Sequence, residues 1–517
     1  MSEIPRKHNE LKAGVIINYI IILTQLFIAI LYTPIMLRIL GQSEYGLYSL
    51  AVSVISYLGI LNFGLSSSYN RFFFRYKSNN DTDSISKLNG MFVAIFLIIS
   101  LLVLIFGFVI VYFSDSIFNK NLSAEQLVTI KVLLSLLIIN LAISMPSNIF
   151  TSYIRANQRF IFLNSFQLVK IISSPLLSIP VLLLGYGSVG IISVMLIINL
   201  VVELFYVIYA YKKIKFKISF SFMSLGVFKE VILFSSFIFI NMVTDQINWN
   251  VDKFILGVIH GTIAVAVYSV AASINIIYLS LSNAISSVFV PLINKLVFEK
   301  DSDNKLNALF IKVGRLQFIS MMLVLTGVLF FGQQFITWWV GPEYSESFYI
   351  VVILMVSATL TVIQSIGIEI QRAKNMHKFR SILYLFIAVF NIIISIPLGL
   401  RYQGIGTAIA TAIALIIGNV IIMNVYYHKK VGIDVIAFWK SILMITPAFI
   451  IPSIYGIIVF NWIDIGNIYY FIGSLLLYIL LYFTSIFFLG MNNYEKEITK
   501  KIMNNICLFN TKGTLNI

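Results

Sequence analysis

The sequence is poor in the residues from which soluble chemistry is built. Of 517 residues only 21 are acidic, four are histidine and one, Cys507, is cysteine. A lone cysteine excludes an intrachain disulfide and any paired-thiolate metal site, and leaves the redox compartment unread. Charged residues make up 11% of the chain, where a soluble domain carries about a quarter. No G-x-x-x-x-G-K-[ST] occurs, so nothing supports ATP hydrolysis in this chain, and neither H-E-x-x-H nor G-x-S-x-G is present. His8, His260, His377 and His428 fall in loops or at segment ends, where a solvated imidazole is the default. No catalytic group, metal site or cofactor is expected.

What fills the chain instead is apolar sequence, 59% of all residues. Runs of about twenty apolar residues recur from end to end, the length that crosses about 30 Å of hydrocarbon. We expect an all-α integral membrane protein of about fourteen spans. They lie near 14–37, 46–68, 89–113, 127–150, 161–184, 188–211, 230–250, 262–293, 309–331, 347–368, 381–400, 404–427, 438–459 and 468–490. The opening MSEIPRKHNELK is polar and the first apolar run is too long for a cleavable signal core, so no cleavage is expected.

The formal charge of +15 would suggest nucleic acid in a soluble protein. Here Lys and Arg mark cytoplasmic loops. With a cytoplasmic N-terminus, 30 of the 36 Lys and Arg fall on the inner side and five on the outer side (Arg38, Lys120, Lys131, Lys253 and Arg401), with Lys170 inside a span. That bias sets the orientation, with both termini inside, and no nucleic-acid partner is expected. Outer loops are short; the longest, Ser114 to Gln126, has no room for a folded domain. The central inner loop, Lys212 to Lys229, begins KKIKFKISFSF. It reads either as an interfacial linker whose lysines face anionic headgroups or as an ordinary basic inner loop.

The chain is organised around a corner, TPIMLRILGQSEYGLYSLAVSV, from Thr33 to Val54, and the corner recurs. Gly41 is followed seven residues on by Tyr48-Ser49, and Gly261 by Tyr268-Ser269, an offset of 220. Arg155-Ala156 and Arg372-Ala373 repeat at 217, as do Gly187 and Gly404. In order and at equivalent corners, these matches predict a six-plus-six duplication. Six is even, so both halves run the same way, as a parallel repeat about the membrane normal. The expected divisions are 1–217, the first six spans; 218–430, the next six; and 431–517, two further spans and a cytoplasmic tail. Two such halves can rock about a cavity that opens to alternate sides.

Charges inside spans carry the candidates for a site, because lipid-facing ones are costly. Lys170 and Glu203 lie midway along the fifth and sixth spans, either as a mutual ion pair or as cavity groups. Asp245 lies in the outer half of the seventh and is the leading candidate for a protonatable or ion-linked carboxylate. Arg38, Asp252 and Lys253 cluster near outer ends, and Arg71, Arg75, Lys312 and Arg315 near inner ends, where snorkelling to the interface is the ordinary explanation. Pro175 and Pro180 in one span predict a bent helix.

Several of these residues also carry a resemblance. Pro34-x-x-x-Arg38-x-Leu40-Gly41 with Tyr45-Gly46-Leu47-Tyr48 resembles the first corner of Wzx-type oligosaccharide flippases, of the multidrug/oligosaccharidyl-lipid/polysaccharide exporter superfamily. Asp252-Lys253-Phe254-Ile255-Leu256-Gly257 with Tyr268-Ser269-x-Ala271 is similar to their second-half corner. Trp338-x-x-Gly341-x-x-Tyr344, Arg155-Ala156-Asn157-Gln158-Arg159-Phe160 and Gly404-x-Gly406 fit as well, and the likeness spans about residues 10–430.

The resemblance implies two six-helix lobes in a MATE-like V with two extra helices. It implies export of a polyprenyl-diphosphate-linked oligosaccharide across the cytoplasmic (inner) membrane for surface polysaccharide such as O-antigen, among membrane lipids and other polysaccharide-assembly proteins. Such a substrate asks for a polar cavity with cationic groups for the diphosphate; the candidates are Lys170, Arg38, Arg71, Arg75 and Arg315. The ion-coupling candidates are Asp245, Glu203 and Asp252, and Tyr19, Tyr153 or Trp249 are candidates to stack on sugar rings. One competing reading is a drug/cation antiporter of the same superfamily, which should favour an acidic first-lobe cavity, where this chain has only Glu203. The other is a membrane polysaccharide polymerase or ligase, which needs reactive side chains on larger loops than these. The sequence leaves the sugar, the coupling ion, the oligomeric state and the host undetermined.

Overall fold

The computed structural model describes residues 3–221, 225–376, 378–463, 465–493 and 495–497. His377, Cys507 and the end of the tail lie outside the described residues. Everything regular among them is helical. Twelve continuous helical stretches are long and apolar enough to cross a membrane. Two of these, Ile16–Ser78 and Lys378–Val431, are far longer than one crossing requires, and each is broken inside. The helix α1 (Glu3–Leu58) breaks at Gly41, with φ 74 and ψ 169. The helix α13, introduced below, breaks at Tyr402 and Gln403, the latter with φ 51.

In chain order α1 leads through a short turn to α2 (Leu65–Ser78), then α3 (Thr82–Phe118), α4 (Ala124–Ala156), α5 (Phe160–Leu183) and α6 (Gly187–Lys212). The starts of α3 and α4 are fixed by side-chain caps. Asp81 accepts from the Ser84 amide, and Ser123 and Gln126 form a reciprocal capping box. Such caps let both helices run beyond the apolar segment itself, so helix ends and span ends differ by several residues. Helix α5 continues through Pro175 and Pro180.

The central linker is less free than its composition suggests. Phe216 is buried among Phe150, Tyr153 and Tyr211, the Asn89 amide donates to the Lys217 carbonyl at 2.8 Å, and the Ser219 amide donates to the Ser86 carbonyl at 3.0 Å. Lys212, Lys213, Lys215 and Lys217 stay exposed.

The second half begins with α7 (Leu225–Ile259) and α8 (Thr262–Ser287), then the short α9 (Val290–Leu296), α10 (Ser302–Trp339), α11 (Ser347–Val362), α12 (Ser365–Ala373) and α13 (Lys378–Leu415). A π-helical turn leads to α14 (Met423–Tyr426), and the chain closes with α15 (Val435–Leu443), α16 (Ile450–Trp462) and α17 (Ile468–Ser485). By packing, the chain forms two compact units. One comprises Met1–Ala272, Trp339–Ser347 and Ser381–Thr411; the other comprises Ser273–Trp338, Phe348–Arg380 and Ala412–Ile517.

Left-handed corners recur along the chain. Positive φ occurs at Gly41 and Gly261, at Asn80 and Asp301, at Gln158 and Asn375, and at Lys215 and Gly432. These pairs stand 217 to 221 residues apart, the spacing of the sequence echoes. Left-handed backbone is costly for most residues, so its recurrence marks equivalent turns.

The first corner also makes the tightest approach in its unit. A Cβ on Gly46 would lie 1.9 Å from the Thr262 carbonyl oxygen, whereas a Cβ on Gly41 meets nothing within 4 Å. The two glycines are thus needed for different reasons, one for space and one for φ. Gly46→Ala should lower the thermal midpoint of detergent-purified protein by the cost of overpacking, about 1–3 kcal/mol. Gly41→Ala should lose only backbone strain, about 1–2 kcal/mol. Differential scanning fluorimetry checks both, and Gly46→Ser should rank with or below Gly46→Ala.

Candidate functional site

Asp252 is the most deeply buried carboxylate among the residues described, 2% exposed, seven residues or about 10 Å inside the end of α7. The Tyr268 hydroxyl of α8 donates to its Oδ2 at 2.6 Å, and the Thr411 hydroxyl donates to the same oxygen at 2.8 Å. The Ser395 hydroxyl donates to Oδ1 at 3.1 Å. Asn391 completes the cage: its Oδ1 lies 3.0 Å from the Ser395 hydroxyl and 3.3 Å from that of Thr411.

The break in α13 builds this cage. Turning at Tyr402–Gln403 lays the two limbs side by side, with Gly406 against the Leu398 carbonyl, so Ser395 from one limb and Thr411 from the other reach one carboxylate. His260, at the end of α7, binds the Gly399 carbonyl through Nε2 at 2.8 Å and ties α7 to the same turn.

The chemistry of the cage is unequal in one respect. Six oxygens converge, but the three hydroxyls supply only three hydrogens, and the Ser395 and Thr411 protons each face two acceptors. A buried ionised carboxylate needs a neutralising partner. The surplus of oxygen lone pairs can accept a proton or a small hard cation, whose ligands are carboxylate, amide and hydroxyl oxygens. Among the described residues there is no group of three or more His, Cys, Asp or Glu able to hold a metal ion.

The other candidates are dispersed. Lys170 is half-buried and its ammonium goes to Asn199 Oδ1. Asn199 in turn donates to Asn140 Oδ1 and the Ser144 hydroxyl, each at 2.7 Å, so α4, α5 and α6 share one polar network. Glu203, also half-buried, feels the Lys170 charge without closing an ion pair on it. Arg75 forms an exposed ion pair with Glu230 at 2.8 Å, and Arg71 lies over the Phe234 ring at 4.6 Å. Arg38 is exposed near the Gly41 corner, and Asp245 is exposed on α7. Of the aromatic candidates, Tyr153 is buried against the linker and donates to the Ile214 carbonyl at 3.3 Å, while Tyr19 and Trp249 are exposed.

Arg315 lies in a different setting from the cationic lining expected of it. It is 6% exposed, and its guanidinium grips Glu495 through Nε at 2.7 Å and Nη2 at 2.9 Å. The remaining donors go to the carbonyls of Ser441 and Gly490 and to the Ser441 hydroxyl. One side chain on α10 thus holds the end of α15 and the segment after α17. Its guanidinium is fully engaged by protein groups.

Sequence reasoning named Asp252 and, in a motif, Tyr268, but not Asn391, Ser395 or Thr411. Hydroxyl and amide residues are common in apolar helices, and only the folded turn of α13 selects these three. The i, i+4 spacing of Asn391 and Ser395 on one helix face was the one available signal.

Residues 11–297 match the profile of a family described as "Polysaccharide biosynthesis protein". The chain is 23% identical over 436 residues to the "Uncharacterized membrane protein EpsK" of Bacillus subtilis, covering 82% of this chain and 85% of that protein. It is 22% identical over 402 residues to the "Putative O-antigen transporter" of Shigella flexneri, covering 75% and 91%. Among solved structures it resembles the lipid II flippase MurJ in an inward closed conformation, with TM-score 0.70 at 20% identity over 91% of this chain and 97% of that one. The all-helical membrane fold expected from the sequence is the fold of that protein.

Breaking a buried ion pair by removing one partner typically costs about 3–5 kcal/mol, whereas replacing both by apolar groups is often close to neutral. Arg315→Met should therefore sharply reduce folded protein in size-exclusion profiles, and the double variant Arg315→Met/Glu495→Leu should recover much of it. A cavity role for Arg315 would give the opposite pattern, with normal folding of the single variant and lost transport in both.

Proposed function

This chain belongs to the polysaccharide biosynthesis protein family, and from that membership we propose that it is a flippase for polyprenyl-diphosphate-linked oligosaccharide. It turns the substrate from the inner to the outer leaflet of the cytoplasmic membrane by alternating access, both termini lying inside and other polysaccharide-assembly proteins acting before and after it. The reading is supported by the family match, by similarity to a putative O-antigen transporter and by the shared fold of a lipid II flippase. The moving parts are two lobes, 1–217 and 218–430, with 431–517 as an appendage; the recurring left-handed corners support that division.

The observation that carries the mechanism is the Asp252 cage. Flipping a sugar and a diphosphate against a gradient needs an energy input, and this chain has no nucleotide-binding motif. A proton or cation held by Asp252 can supply it if site occupancy favours one state of the lobes over the other. The cage joins α7, α8 and both limbs of α13, so filling it changes how tightly these helices pack. Residues of the two sequence halves meet near both ends of α7. At the inner end Arg75 pairs with Glu230, the Ser68 and Ser235 hydroxyls lie 2.6 Å apart, and Phe63 stacks on Phe239 at 4.3 Å. At the outer end the Asn121 amide donates to the Val258 carbonyl at 2.6 Å and the Ser43 and Thr262 hydroxyls lie 3.3 Å apart. Alternating access requires these two sets to part in turn.

A drug antiporter with an acidic first lobe is not favoured, since Glu203 stands beside Lys170 there. Asp252→Asn should lower export of surface polysaccharide at least about tenfold, equivalent to ~1.4 kcal/mol, at unchanged membrane abundance. Asp245→Asn should reduce flipping without reducing insertion. In proteoliposomes, imposing a sodium gradient and a pH gradient separately identifies the ion; full activity of Asp252→Asn under both removes Asp252 from the mechanism. Independently, Ser68→Cys/Ser235→Cys in a Cys507→Ser background should stop transport on oxidation and regain it on reduction.

A further inference from the structure

The outer half of α7 is polar to a degree that the Asp252 cage does not account for. From Thr244 to Lys253 the sequence reads TDQINWNVDK, in which seven of ten residues are polar or charged and an eighth is Trp249. At 100° per residue, Asp245, Asn248, Trp249 and Asp252 share one face, and Gln246, Asn250 and Lys253 the adjoining one. Ile247, Val251 and Phe254 complete the circle. The polar arc covers roughly half the circumference and runs about 14 Å along the axis.

Asp252 turns into its cage, but the rest of the arc stays accessible. Trp249 is 47% exposed and Asp245 is exposed, while Gln246, Asn248, Asn250 and Lys253 are half-buried. The opposite side of the helix is the packed one. Phe254 lies edge-on to Tyr57 and Phe118, and Val251 is buried. Lys253 makes no salt bridge or hydrogen bond to any described residue; its nearest charge is its neighbour Asp252. Asn250 donates to Gln246 Oε1 at 2.7 Å, which lines up the two amides and leaves Gln246 Nε2 as a donor and Asn250 Oδ1 as an acceptor for an outside partner. Three amides and a lysine on the half-buried side of a spanning helix are too costly to face lipid. They face water or a polar ligand.

We propose that this arc is the saccharide-binding surface of the transporter, with Gln246, Asn248, Asn250 and Asp245 taking sugar hydroxyls, Trp249 stacking on a pyranose face and Lys253 meeting the diphosphate; it rests on the flippase reading above. The composition selects this ligand over its rivals. A diphosphate alone calls for several cations, preferably arginine, and the arc has one lysine. A prenyl chain calls for apolar surface. A small ion needs a closed cage of oxygens, which Asp252 already has. Amides present donors and acceptors side by side, as vicinal hydroxyls do, and an accessible indole offers a flat apolar face between them. The length suits a short oligosaccharide.

The test uses the full-length protein with Cys507→Ser and single cysteines at 246, 248, 250 and 253, reacted in membranes with a membrane-impermeant maleimide. These positions should label at least about tenfold faster than cysteines at 247 and 251; equal slow labelling overturns the water-facing arc. Labelling is then repeated with farnesyl-diphosphate-linked disaccharide and with farnesyl diphosphate alone. Protection at 246, 248 and 250 by the disaccharide lipid but not by the diphosphate, weakened when Lys253→Ala is added, supports the assignment. Equal protection by both probes, or by neither, overturns it.

Trp249→Phe and Asn248→Ala should weaken protection of 246 and 250 by the disaccharide lipid about tenfold and leave the labelling rates without ligand unchanged. Unchanged protection overturns the saccharide role, as does a loss of protection accompanied by altered labelling without ligand, which marks misfolding. Transport is scored separately in proteoliposomes. A protein that is protected but does not flip the disaccharide lipid keeps the arc and sinks the flippase reading, whereas one that flips it with no protection sinks the arc alone.

Discussion

Hydrocarbon offers no hydrogen bond, so every polar atom carried into a membrane must be met by protein, by water in a cavity or by a ligand. This constraint sorts the polar residues of the chain more sharply than their chemical identity does. Arg315 and Glu495 meet each other and the carbonyls around them, and the result is an anchor. Lys170, Asn199, Asn140 and Ser144 close a network among three helices. Asp252 is met by hydroxyls that bring too few hydrogens for the oxygens present. The amides of Gln246, Asn248 and Asn250 are met, among the described residues, only by the bond that Asn250 makes to Gln246. The first two arrangements are complete, and the last two are where something from outside can act.

Much of the fold was legible because it depends on the same constraint. Apolar runs long enough to span had to be helices, and breaks between them had to carry turn chemistry. Gly41 announced the first corner, and its left-handed φ is what a residue without a side chain supplies most cheaply. The second half was legible by echo through Gly261. Gln403 was less so, because the sequence pointed to Gly404 as the turn while the left-handed residue is its neighbour. The site was legible only in part. Asp252 stood out as a charge, but its partners are ordinary in membrane helices and are collected by a turn that no local pattern places. Arg315 misled because a basic residue near an inner helix end normally serves the interface or a cavity. Its true partner, Glu495, lies 180 residues away. Glu10 and Glu495 are both acids from outside the main spans, and each takes an arginine, Arg159 in the first case.

The repeat clarifies why the two halves are not interchangeable. Carried back by the offsets of the echoes, Asp252 falls on Tyr32, Tyr268 on Tyr48 and Ser395 on Ser178. The first half therefore has hydroxyls where the second has a carboxylate cage, and the Tyr48 hydroxyl reaches only the thioether of Met195, at 3.9 Å. At these equivalent positions anionic oxygen is found in the second half alone. Around Tyr32 the first half instead presents an apolar groove of about 460 Å³, lined by residues of α1 and α5 that include Phe27, Leu31, Ile172 and Pro175. Left-handed corners recur in both halves, and a carboxylate present at only one of the equivalent positions supplies the asymmetry on which the proposed directed transport depends.

On the proposed roles of cage and arc, their adjacency on α7 gives that asymmetry a use. Asp252 and Lys253 are consecutive, so their side chains leave the helix about 100° apart, one into the cage and one onto the accessible face. When the cage is empty of proton or cation, the Asp252 charge lies beside the Lys253 ammonium and competes for it. When the cage is filled, that attraction weakens and the ammonium is free to meet an anion on the arc. Substrate and coupling ion are then linked through a single turn of helix, with no long-range pathway needed. Linkage requires the effect to be mutual: an anion bound at Lys253 must also favour filling of the cage. A substrate that carries its own diphosphate would thus help load the ion that drives its export.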